Sequence, residues 1–113
     1  MAKRIDAELQ LYIRRNGKIL FKPARIELLR AIQRRGSLRV AAKELEISYQ
    51  HAWDVINEMN RVASQGLVIK QRGGTGGGGA KLTDHGRTLL QEYERIEHEV
   101  SVFAKRLNTE LNR

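Results

Sequence analysis

Apolar residues recur along this chain at two different periods, and each period predicts its own elements. Between Pro23 and Arg35, Ile26, Leu29 and Ile32 fall three apart with Leu28 beside them, the stripe of an amphipathic helix. Pro23 suits the first turn of that helix and Gly36 its end. Arg30, Arg34 and Arg35 crowd its C-terminal half, where the helix dipole favours positive charge. Ser37 can cap a second, shorter helix whose stripe is Leu38, Ala41, Ala42 and Leu45, the alanines leaving room for another helix to cross. Glu46-Ile47-Ser48 reads as a tight turn with Ile47 buried and Ser48 capping a third helix. There Ala52, Ile56, Met59 and Ala63 recur at spacings of four, three and four, while Tyr49, Gln50, Trp53, Asp54 and Asn57 lie on the opposite side.

The period shortens to two at both flanks of this helical block. Leu9, Leu11 and Ile13, then Ile19 and Phe21, alternate with polar residues around Asn16-Gly17, a preferred two-residue turn, so 8–21 reads as a hairpin. Such a hairpin is marginal alone and must rest on the helices or pair across a dimer. Arg14, Arg15 and Lys18 at its turn either touch a phosphate backbone or are simply solvated. Past Gly66, Leu67 to Gln71 is a short strand and Ala80-Lys81-Leu82 its return, joined by a loop with six glycines among the seven residues 73–79. Thr83 caps a last helix running from about Asp84 toward Leu111. Leu89, Tyr93, Ile96, Val100, Phe103 and Leu107 run along it at alternating spacings of four and three, a heptad seam. At 1.5 Å per residue this helix extends roughly 40 Å, more than so small a core covers. Part of the seam is therefore expected to meet a second chain; folding back on the hairpin and first helix is the alternative. Glu92, Glu94, Glu97 and Glu99 read as its solvated side.

The 113 residues fit one domain, 1–113, comprising the hairpin, a helical and winged unit at 23–82, and the C-terminal helix at 83–111. The formal charge of +8 favours a polyanionic partner. Its distribution is sharper than its sum: residues 1–82 hold sixteen Lys/Arg against seven Asp/Glu, residues 83–113 five against six. Zero cysteines exclude disulfides and thiolate chemistry. With neither a secretory leader nor a membrane-spanning run in this sequence, a cytoplasmic address is expected. His51, His85 and His98 lack metal-ligand spacing, so neither metal nor cofactor is expected. Gly74 to Gly79 formally matches GxGxxG, yet in so glycine-rich a run the match is nearly automatic. A dinucleotide site needs a parallel strand after the following helix, which is not expected here, and Ala80-Lys81-Leu82 is not the GK[ST] of a phosphate loop. An enzyme is not expected. A flexible linker remains the plainer alternative for the loop.

A short helix, a turn and a longer helix with one polar face are the parts of a helix-turn-helix DNA reader. Strand, glycine loop and strand directly after it make the wing of a winged helix. The fold class is thus mainly α with a small hairpin and wing, and a long C-terminal dimerisation helix. Ile47-Ser48-Tyr49, then Ala52-Trp53-Asp54, Ile56-Asn57 and Met59-Asn60, resemble the recognition helix of the ModE molybdate-responsive regulators. The wing Gly73-Gly74 and Gly76 to Ala80, with Leu82-Thr83 and Gly86, is similar too; LysR-type regulators share the layout more distantly. The resemblance implies a sequence-specific regulator of transcription, homodimeric on a palindromic operator. It implies that Ser48, Tyr49, Gln50, Trp53 and Asn57 face the major groove of double-stranded DNA; Arg72 and Lys81, which flank the glycine loop, are placed to approach phosphates, and Ser37 is counted with them as a DNA-binding residue. Gln50 pairs well with adenine, Asn57 with adenine or phosphate, and the Ser48 and Tyr49 hydroxyls reach the backbone. Trp53 either packs on sugars and thymine methyls or closes the core. ModE proteins continue into molybdate-binding domains that this sequence does not reach, so the expectation is either an effector acting through a separate partner or no response to an oxyanion at all. The alternative class is a nonspecific nucleoid-associated or RNA-associated basic protein.

Overall fold

Eight elements succeed one another in the computed structural model, which describes residues 4–72 and 78–113. They are strands β1 (Ile13–Arg15) and β2 (Lys18–Phe21), helices α1 (Pro23–Arg35), α2 (Leu38–Glu44) and α3 (Tyr49–Ala63), strands β3 (Val68–Lys70) and β4 (Ala80–Leu82), and helix α4 (Asp84–Leu111). Both strand pairs are antiparallel two-stranded sheets. Residues 73–77, the middle of the glycine loop, lie outside the described residues.

Local chemistry accounts for most element ends. Asn16 and Gly17 both take positive φ, +52° and +79°, which is the left-handed pair a tight hairpin turn requires. Pro23 opens α1, and Gly36 closes it in the left-handed conformation at φ +65°. Ser37, Ser48 and Thr83 cap α2, α3 and α4, their hydroxyls accepting from Val40 N, His51 N and Gly86 N at 3.2, 3.0 and 2.9 Å.

The three short helices close on one another through their apolar stripes. Ile26, Leu28, Leu29, Ile32, Leu38, Ala41, Ala52, Ile56 and Met59 are all buried, joined by Leu67 just before β3 and by Ala80 and Leu82 of β4. Ile47 is half-buried rather than buried, packing against this core from the turn, where Glu46 takes a left-handed φ of +59°. The hairpin rests on α3, and Arg15 donates to Val62 O at 2.9 Å, satisfying a carbonyl at the α3 C-terminus. That guanidinium has a structural task rather than a free phosphate-seeking end.

Three expectations change along the N-terminal segment and α4. The N-terminal alternation is not a long strand: β1 starts only at Ile13, and residues 5–11 run along α4 instead. Asn112 both donates to Ile5 O and accepts from Ile5 N, Asn108 accepts from Ala7 N, and the Tyr93 hydroxyl donates to Leu11 O at 2.8 Å. Helix side chains thus take the backbone groups that a partner strand would have taken. The heptad seam is likewise divided. Tyr93 is buried in its own chain, edge-on to Phe21 at 6.0 Å, and Leu89 packs on the same core. Burial, and then the Glu97 charge, push the Tyr93 phenol above its ordinary range. Ile96, Val100 and Leu107 are half-buried, and only Phe103 of the seam is open, at 44% exposure. Nor are the α4 glutamates uniformly solvated. Glu94 and Glu97 each accept from Arg30 at 2.9 Å, tying α4 to α1. Burial alone would lower the Arg30 pKa, but the hydrogen bonds to Glu97 and Glu94 outweigh it and raise it.

Candidate nucleic-acid interface

Helix α3 turns its apolar residues inward, which leaves Gln50, Asp54 and Asn57 exposed along its outer side. Gln50 is already oriented: its Nε2 donates to Asp54 Oδ1 at 3.0 Å. A carboxylate only accepts, so the amide must present its NH₂ to Asp54. The second N–H and the carbonyl oxygen belong to an exposed side chain that can turn toward a base.

Tyr49 and Trp53 stand on the wing side of that ridge, both half-buried and edge-to-face at 6.3 Å. Trp53 therefore does both in part, packing against the core and bordering the surface beside the wing. Arg39, from the first turn of α2, lies 4.2 Å from the centre of the Tyr49 ring, and Lys70, from β3, lies 4.9 Å from the Trp53 ring. Together with Gln71, Arg72, Gly78 and Gly79 the two rings and Lys70 line a groove of about 370 Å³ between α3 and the wing.

The wing root is held against α2. Leu38 N donates to Gly78 O at 2.9 Å, Ala80 N to Gly36 O at 3.3 Å, and Gly79 bridges to Ser37. Gly78 passes so close that an added Cβ would stand 3.0 Å from Arg39 Cβ and 3.4 Å from Tyr49 Cε1. Its φ of +61° also favours glycine. Asn60 completes the seating from the other end, accepting from Leu67 N at 2.7 Å.

Of the residues singled out from the sequence, Gln50, Asn57, Tyr49, Trp53, Ser48 and Arg72 gather on this side of the molecule. Ser37 does not: it is fully buried as the α2 cap, so its side chain cannot meet a duplex. Lys81 is exposed but sits opposite Ile69 in the register, on the other face of the wing from Lys70. Arg39 and Lys70 carry no such signal in the sequence. They stand out in the contacts alone, since an arginine at the start of a helix and a lysine in a short strand are ordinary.

Ion pairing sorts the remaining cations. Arg30, Arg34, Arg35, Arg61, Arg87 and Arg95 are each engaged by a carboxylate of the same chain. Among the described residues Arg39, Lys70, Arg72 and Lys81 make no such pair, but neither do Arg14, Lys18, Lys22, Lys43, Lys105, Arg106 and Arg113, so what distinguishes Arg39 and Lys70 is their place over the two rings.

This ridge-and-wing arrangement belongs to a recognisable set of sequences. A 44% identical stretch of 92 residues, 81% of this chain, occurs in the DNA-binding transcriptional dual regulator ModE of Escherichia coli K12. The chain is homologous to the N-terminal part of ModE regulators. The molybdenum transport protein ModE of Azotobacter vinelandii is 46% identical over 88 residues, 78% of this chain. The molybdenum-pterin-binding protein MopB of Rhodobacter capsulatus is 43% identical over 88 residues, 74% of this chain. The chain spans about a third of the length of these ModE-type relatives, 33 to 35%. No family model matches it. Among solved structures, ArgP of Mycobacterium tuberculosis, a LysR-type regulator, superposes with a TM-score of 0.54 over 83% of this chain and 32% of ArgP. At 21% identity that likeness speaks to the fold, a winged helix-turn-helix, and to nothing more.

Proposed function

We propose that this ModE-like chain is a sequence-specific regulator of transcription that binds duplex DNA as a homodimer on a palindromic operator in the prokaryotic cytoplasm. The observation that carries it is the outer side of α3: a pre-oriented Gln50 and an exposed Asn57, flanked by unpaired cations of the wing. A helix of this width fits the major groove, where Gln or Asn pairs bidentately with adenine. Arg72 and Lys81 touch flanking phosphates, and the Ser48 and Tyr49 hydroxyls approach the same backbone. The names of the relatives support regulation by DNA binding.

Selection of bound duplexes from a random pool tests the reading. Gln50→Ala and Asn57→Ala are each expected to relax preference at one position per half-site by about 1–3 kcal/mol. Arg72→Ala should weaken operator and random duplex alike and flatten the salt slope by about one unit. Equal losses on both duplexes for all three variants would overturn these roles. A binding ratio between operator and bulk DNA below ~10³ would favour a nonspecific nucleoid-type protein instead.

The partner surface for the second copy is the open side of α4. Val102 and Phe103 are exposed there, with Glu99 and Arg106 beside them and the Arg106 guanidinium 5.0 Å from the Phe103 ring. A two-fold axis between Val102 and Phe103 would set Glu99 of one copy against Arg106 of the other, an isologous match of charge around an apolar centre. Phe103→Glu is expected to yield monomers in sedimentation velocity while single half-site binding persists. A dimer of unchanged stability would remove α4 from the interface.

A further inference from the structure

The row formed by Arg39, Tyr49, Trp53 and Lys70 has a feature that base reading does not require: each ring already carries a cation. We propose that this row is a phosphate rail, in which Tyr49 and Trp53 are pedestals that hold Arg39 and Lys70 in the groove between α3 and the wing. One strand of the duplex would run its backbone along that groove. The rings themselves would read no base. The proposal rests on the DNA-binding function and reassigns two residues within it.

Three observations converge. Among the described residues neither Arg39 nor Lys70 is drawn off by a carboxylate, as seven arginines elsewhere in the chain are. A long cationic side chain normally loses much rotamer freedom on reaching a phosphate, and a ring contact made beforehand removes part of that loss. A guanidinium resting on a ring through its flat face keeps in-plane N–H donors for phosphate oxygens, and an ammonium keeps its own. Second, the rings are not available as stacking platforms for bases in the way single-strand binders use them. Trp53 and Tyr49 meet edge to face at 86°, are half-buried, and each has its cation in place.

Third, the far wall of the groove is built for close approach. Gly78 and Gly79 bring bare backbone beside Tyr49, and the bonds from Leu38 N and Gln71 N to Gly78 O and Gly79 O, at 2.9 and 2.8 Å, hold that wall still. A wider side chain at Gly78 would push into Arg39. Arg72 continues the cationic line toward the wing. A channel with fixed cations on one side and glycine on the other suits a sugar–phosphate chain better than a base edge.

The test measures full-chain binding to a selected operator and to a random duplex across a salt series. Arg39→Gln and Lys70→Gln should each lower both affinities by the same factor and flatten the slope of log K against log salt by about one. Trp53→Phe should behave as the parent, Trp53→Leu as Lys70→Gln, and the double variant Trp53→Leu/Lys70→Gln no worse than Lys70→Gln alone, because the ring acts through the cation. Trp53 is the lone tryptophan, so its emission should shift with Lys70→Gln in the free protein. Unchanged slopes for Arg39→Gln and Lys70→Gln, with the parent still binding, would overturn the rail and leave the DNA reading intact. Altered base preference in Trp53→Phe or Tyr49→Phe would overturn it by making the rings readers. No binding of the parent to any duplex would sink the underlying reading first.

Discussion

Tyr93→Ala is expected to destabilise the folded chain by about 3–5 kcal/mol, the range for emptying a buried aromatic site. Tyr93 is 2% exposed, meets Phe21 edge-on, and its hydroxyl holds the Leu11 carbonyl of the segment that runs along α4. Removing the ring uncouples the hairpin, the N-terminal segment and α4 together. Tyr93→Phe keeps the ring and should lose only about 1 kcal/mol for the hydrogen bond. Urea unfolding at two protein concentrations separates this role from a dimer contact. The losses should be the same at both concentrations, whereas a deficit that grows on dilution would return Tyr93 to the interface between copies.

Gly86→Ala should be nearly as damaging, at about 3 kcal/mol, with a fall in melting temperature on the order of 10 °C. Gly86 is buried in the first turn of α4, where an added Cβ would stand 3.0 Å from the Leu67 carbonyl carbon and nearer still to its oxygen. Neither group can step aside. The same carbonyl accepts from Thr83 N at 2.9 Å, and the Thr83 hydroxyl caps the helix through Gly86 N. To admit a methyl group, α4 must lift from the entry to β3, which loosens the wing root that borders the groove. A melting temperature within a degree or two of the parent would show that α4 can shift without cost.

The heptad seam explains why these effects were only partly legible. A spacing of four and three says that one side of α4 is apolar; it does not say what covers it. In the folded chain the covering is shared, with Phe21, Leu11 and the N-terminal segment taking Tyr93 and its neighbours, and Phe103 left open. The N-terminal alternation failed for a related reason. Period two predicts a strand, but the hydrogen bonds of residues 5–11 go to Asn108, Asn112 and Tyr93 of α4 rather than to another strand.

Net charge had the same blind spot. The excess of cations before residue 82 pointed to a polyanion, yet which of them remain available depends on where carboxylates fall in space. Glu44 takes both Arg34 and Arg35, and Glu94 with Glu97 takes Arg30. Arg39 and Lys70 are left for the groove.

The chain's own order of residues determined everything governed by neighbours within a few positions. That covers the three hydroxyl caps, the left-handed Asn16-Gly17 and Gly36, the apolar stripes of α1 and α3, the short wing strands, and the polar outer side of α3. Each arises from backbone sterics, capping hydrogen bonds or a helical repeat, which act over one or two turns. Only the tertiary structure decided matters that join distant positions: burial of Ser37 beneath the wing, Tyr93 within its own chain, the cations that keep no partner, and the rings beneath two of them. These depend on which surfaces meet after collapse, and no local pattern encodes a contact across half the chain.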